Sequence, residues 1–307
     1  MTSQTRSCGA RRAAAPLAAA WLLAAACLAG AAGAPDESRV LANLLKLHGD
    51  RVPMLYSPGS LDRAAHLQQR LDAVAKDVQN WSGITLDVRG VVLSSDDWQA
   101  LHIPVPYGLP QWTTVGLAAP AWGDQHSVAL WHGLIGSPLP WGGGDPLRGS
   151  RDEAASVALA DTLLQVECSR LAAARAITVA GPDWIHELLS HVIALTAVAV
   201  HENERAAELD AVYAALGAHL PAPGGIRAYA AAADYRVRLA YQPVFHRGAE
   251  IVVAKGGRKA AWTLLHVPKK NGGQLTEGDL IKHFPGLREW IASASAAAPA
   301  AAPPTAH

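Results

Sequence analysis

Residues 159–174 read LADTLLQVECSRLAAA and residues 182–200 read PDWIHELLSHVIALTAVAV. Both runs predict apolar helices, one following the other, each turning an acidic residue inward. The first carries Glu167; the second carries His186, Glu187 and His191. Charged groups on otherwise apolar helices need partners, so the functional question concentrates on this pair.

The two runs resemble the gluzincin zinc peptidases, specifically the peptidase MA-like proteins of bacterial envelopes. Those proteins carry D-x-L-x-x-H-E-x-x-H, a short connector, and then P-x-W-L-x-E-L-x-A. Asp161, Leu163, Glu167, Leu171, Pro182, Trp184, Ile185, Glu187 and Leu188 fall in the corresponding places. The two ligand histidines do not, because their positions hold Val166 and Arg170 and the box reads VECSR.

Histidines at i and i+4 lie about 40° apart around a helix and can grip one zinc, while the intervening Glu polarises the bound water. Valine offers no lone pair, and arginine stays protonated and repels a dication. The resemblance makes Glu167 the general-base position and Glu187 the third-ligand position. With both imidazoles replaced it implies no cofactor, since a lone carboxylate does not hold catalytic zinc.

The same letters allow two other readings. His186 to His191 form an HExxxH box, similar to the HELLGH of dipeptidyl peptidase III, and His186, His191 and Glu204 could then hold zinc with Glu187 as base. In a regular helix His186 and His191 sit about 140° apart, so that reading requires a one-residue bulge. Alternatively Glu187 and His191, at i and i+4, pair with each other or with Arg170 for structural reasons alone.

Residues 1–34 read as a signal peptide. Arg6, Arg11 and Arg12 form the positive region, residues 13–28 the apolar core, and AGAAGA the cleavage zone. An uncleaved anchor is the competing reading, and Cys27 makes a weak lipobox. Export to the periplasm or outside the cell is the expectation. Removing the segment leaves 23 basic against 26 acidic residues, and no basic run interleaved with aromatics, which argues against nucleic acid as a partner. Cys168 then stands alone, so no intrachain disulfide is possible, and its apolar helix predicts a buried, inert thiol.

Residues 35–220 read as a gluzincin-like α+β domain. VLANLLKLHG predicts a short amphipathic helix, VPMLYS a strand, residues 61–81 a helix, ITLDVRGVVLSS a strand, and DDWQAL a short helix capped by the Ser95-Asp96-Asp97 cluster. TTVGLAAPA and SVALWH follow as expected edge strands, after a VPYGLP segment that resembles the family's Y-G-x-P. In gluzincins the edge strand above the active helix binds extended peptide. Residues 133–149 read as a Gly/Pro loop; Gly142, Gly143 and Gly144 have neither phosphate-loop nor dinucleotide spacing.

Residues 221–292 read as a helical C-terminal lobe, entered through PAPGG, and residues 293–307 as a disordered Ala/Pro tail. Within the lobe, FHRGA resembles the Y-x-K-G-A segment of aminopeptidase N-like enzymes, whose Tyr steadies an oxyanion. Phe245 has no hydroxyl to donate, and Tyr241 is the nearby substitute.

The expectation is thus an α+β, zincin-type fold with an N-terminal mixed sheet, paired central helices and a helical C-terminal lobe. Functionally it is an exported metallopeptidase-like protein without its zinc, keeping a cleft for an extended peptide or an envelope protein. The alternatives are an active zinc peptidase and a structural envelope protein.

Overall fold

The computed structural model describes residues 35–137, 139, 150–176, 182–202, 205–220, 222, 224–230, 234–270 and 274–296. Residues 1–34, read above as a signal peptide, Gly142 to Gly144, Glu204 and the chain beyond residue 296 lie outside them.

The architecture is α+β, a small mixed sheet against a larger body of helices. It begins with α1 (Pro35–Asn43), β1 (Leu45–Leu47), β2 (Met54–Tyr56), α2 (Leu61–Ser82), β3 (Gly90–Leu93), α3 (Ser95–Ala100), β4 (Gln111–Thr113) and β5 (Gly116–Pro120). Strand order is β1-β2-β3-β5-β4, with a parallel centre of β2, β3 and β5 and an antiparallel strand at each edge. β3 is buried on both faces. Its alternation sends Val92 into the main core with Met54 and Leu117, while Val91 and Leu93 face a second cluster containing Val40, Trp98 and Tyr107.

Several boundaries differ from the sequence expectations. Helix α1 stops at Asn43, and Leu45 to Leu47, read as its continuation, pair with β2 as an edge strand. Of ITLDVRGVVLSS only Gly90 to Leu93 is strand, since a partner as short as β2 offers no ladder to the residues before them. Ser94, not the Ser95 cluster, caps α3 by accepting from the Asp97 N–H at 3.2 Å.

SVALWH is not a strand at all but lies in helix α4 (Gln125–Ile135). Asp124 and Ser127 form a reciprocal capping box, and Ser127, Trp131, Leu134 and Ile135 are buried at helical spacing. The local cap outweighs a six-residue alternation.

The helical body comprises α5 (Arg151–Ala176), α6 (Asp183–His201), α7 (Ala206–His219), α8 (Tyr235–Gly256), α9 (Ala260–Lys270), α10 (Glu277–His283) and α11 (Leu287–Ser295), the last reaching into the stretch read as tail. The main core runs from Val52 to Ile291, joining residues on both sides of the 221–225 segment. Helix α6 is long and apolar enough to cross a bilayer, yet 78% of its most apolar window is buried, so within this fold it is the core helix. Gly248 lets α8 approach closely: a Cβ there would meet Leu188 at 2.9 Å and the Trp290 ring at 2.6 Å. That approach brings the polar residues of α8 within reach of Glu187.

Candidate functional site

Helices α5 and α6 pack side by side, and α8 lies against α6. Arg170 of α5 grips Glu187 of α6 with two charge-assisted bonds, Nε to Oε2 at 3.0 Å and Nη2 to Oε1 at 2.6 Å. The same guanidinium pairs with Glu167 one turn back on its own helix. One arginine therefore joins Glu167 to Glu187, which the resemblance had expected to be a general base and a metal ligand.

Glu187 is only 1% exposed and its remaining capacity is filled. The Tyr229 hydroxyl donates to Oε2 at 2.7 Å, and the Gln242 amide donates to Oε1 at 2.9 Å. The Gln242 carbonyl accepts from His191 Nε2 at 2.8 Å, which makes His191 a neutral imidazole with its proton on Nε2. Burial on its own would push the Glu187 carboxyl up, but Arg170, then His191 and Gln242, hold it at about 2. Burial drives the His191 ring down to about 3 despite the nearby Glu187 charge.

Val166, on the same helix, is 3% exposed. It lines a small cavity with His191, Tyr213 and His246. A separate cavity of about 30 Å³ lies beside Arg170, lined by Glu167, Arg238, Gln242, Leu109 and Pro110 among others. That is room for about two waters. Arg238 stands 3.9 Å from Glu167, and its buried Nε has no hydrogen-bond partner among the described residues.

The HExxxH reading meets a geometric obstacle. Helix α6 is continuous α-helix from Asp183 to His201, without the bulge that reading requires, so His186 and His191 diverge by about 140°. His191 is enclosed by the rings of Tyr213, Phe245 and His246, whereas His186 is half-buried at the helix start. Glu204 lies outside the described residues.

The hydroxyl near the cluster belongs to Tyr229 rather than Tyr241, whose own OH reaches the Gly225 carbonyl at 3.5 Å. Phe245 is fully buried against Tyr229 and His191. Cys168 is fully buried, and burial pushes its thiol up to about 12.

Sequence reading missed Tyr229, Gln242 and Arg238. Gln242 had a visible signal, an amide in line with Leu239, Phe245 and Ala249 at helical spacing. Tyr229 follows a single 3₁₀ turn and had none. The partners of Asp161 were also missed: Arg63 and Arg70, from α2, both bind its carboxylate, Arg63 Nη1 at 2.8 Å and Arg70 Nη1 at 2.9 Å.

This is an α+β protein with a buried, fully partnered carboxylate where two core helices meet. No family model matches the chain, and no curated protein matches it in sequence.

Proposed function

We propose that the chain is an exported metallopeptidase-like protein of gluzincin type in which the Arg170 guanidinium stands where a catalytic metal would, and which binds peptide without cleaving it. The observation that carries this reading is the bidentate Arg170–Glu187 pair, with Glu167 held by the same arginine. A cation and two carboxylates persist at the motif's ligand and base positions, but the cation is covalently part of the chain. A base tied to a permanent cation, with valine and arginine in place of the two imidazoles that would hold a metal beside it, lacks the donors for metal-assisted hydrolysis.

Two features support peptide binding. Strand β4 is a sheet edge, antiparallel to β5, and the Trp112 indole of β4 donates to the Glu167 carbonyl of α5 at 3.3 Å. An extended peptide adding to that edge would run beside the helix that bears Arg170. The neighbouring cavity is lined by the Arg238 side chain, 23% exposed, whose guanidinium suits a peptide carbonyl or terminal carboxylate, while its small size keeps a whole residue outside.

The test is hydrolysis of quenched fluorogenic peptide libraries by the purified protein, with and without added zinc, alongside anisotropy binding of the same peptides. We expect no turnover, saturable binding, and weaker binding in Arg238→Met. Zinc-dependent, chelator-sensitive hydrolysis by the wild-type chain would overturn the reading. Neither turnover nor binding would favour the structural envelope protein instead.

A further inference from the structure

A third charged group lies away from Arg170, where α7 and α8 meet. Asp210 of α7 faces His246 and Glu250 of α8, which stand at i and i+4 on one face. One ligand-type atom from each of the three lies within 4.8 Å of the others, and among the described residues no other trio of His, Cys, Asp or Glu meets that condition. We propose that Asp210, His246 and Glu250 form a binding site for a divalent transition metal of the zinc class, distinct in its donor atoms from the Glu187 cluster that it adjoins through the His246 and His191 rings, 6.4 Å apart.

The donor set suits such an ion. A neutral imidazole with two carboxylates cancels a dication's charge, and nitrogen plus oxygen ligands favour zinc over magnesium or calcium. The imidazole is already positioned: His246 is 5% exposed and its ring stacks on Tyr213 with centroids 4.1 Å apart.

At present Nε2 donates to Asp210 Oδ1 at 3.0 Å. An arriving cation takes the place of that proton, which moves to Nδ1 as the ring changes tautomer, so no net proton is released. The carboxylates face water, with the Asp210 side chain 55% exposed and that of Glu250 30% exposed, leaving an approach for the ion and positions for water ligands.

The competitor is Arg247, whose Nη1 pairs with Glu250 at 2.9 Å. That side chain is 73% exposed, so its pairing is screened and readily displaced. Removing it should strengthen metal binding, an effect that a purely structural role for the trio does not predict.

The experiment is calorimetric titration of the chelator-stripped full chain with zinc chloride, with cobalt absorption as a second readout. One saturable site is expected, weakened more than about tenfold in His246→Gln and in Glu250→Gln, and tightened in Arg247→Ala. Should the buried His246 variant misfold, Asp210→Asn and Glu250→Gln change exposed groups and still decide the matter. No saturable binding, or wild-type affinity in both carboxylate variants, overturns the site. Zinc lost in Glu187→Gln but retained in Asp210→Asn would place the ion at the other cluster and also overturn it.

Discussion

Helix α5 carries two buried ion clusters about two and a half turns apart, and they are built differently. At Asp161 one carboxylate, 4% exposed at its side chain, receives two arginines from α2; Arg70 also reaches Glu202 at 3.1 Å. At Glu187 one carboxylate, 2% exposed at its side chain, depends on a single arginine, which it shares with Glu167. The first cluster sets two arginines on one buried carboxylate and braces α2 against α5. The second sets one arginine on two carboxylates and borders a cavity lined by Arg238. Redundant pairing suits a brace, whereas a shared cation beside a cavity suits a site.

The largest effect should come from Arg170→Met, which leaves Glu187 uncompensated in the core. Unfolding free energy by urea denaturation should fall by about 3–5 kcal/mol, toward the lower figure because Tyr229 and Gln242 remain. Adding Glu187→Gln should recover part of the loss, and a double variant as unstable as the single would contradict this account.

Acid should act next, and harder on the Glu187 side. His191 is held neutral, near 3 rather than its ordinary 6.5, so the unfolded chain takes up a proton that the folded chain refuses. Its stabilisation is complete above about pH 6.5 and is lost as pH falls toward 3, on the order of 1 kcal/mol per pH unit for that ring. Glu187, lowered from 4.5 to about 2, adds a loss of the same sign below about pH 4.5. His66, His186 and His246 are lowered as well, chiefly by burial, and steepen the slope. Urea midpoints from pH 8 to 4 should show less decline in His191→Gln than in the parent.

Asp161→Asn should cost about 2 kcal/mol, less than Arg170→Met, because Arg63 and Arg70 keep 12% and 16% of their side chains in contact with solvent. Arg70→Met alone should cost about 1 kcal/mol, since Arg63 still grips Asp161. If thermal melting ranks Arg70→Met with Arg170→Met, the contrast between redundant and single pairing fails. The smallest effect belongs to Arg238→Met, within about 0.5 kcal/mol of wild type, because the carboxylate it faces, that of Glu167, stands as far as 3.9 Å away.

Much of this arrangement was legible as letters. The helical period of Leu67, Leu71, Val74 and Val78 marked α2, and the apolar runs marked α5 and α6. The i, i+4 relation of Glu187 to His191, together with Arg170, already named three members of the cluster. SVALWH was misread because six residues carry both periods equally, and the deciding signal, Asp124 with Ser127, lay at its edge. Gln242 as the bridge between His191 and Glu187 was not legible, since nothing local sets the approach of α8 to α6.

The amino-acid order settled which chemistry is present: helices where apolar period and length demanded them, Cys168 within one of them, and Glu167, Arg170, Glu187 and His191 along two that follow one another. Only the packed molecule decided which charges meet. Arg63 and Asp161 are 98 residues apart, and Gln242 and Glu187 are 55 apart. Local propensity acts over a turn or two of chain, whereas a buried charge is matched by whatever side chain helix packing brings within about 3 Å, and that packing is a property of the whole core.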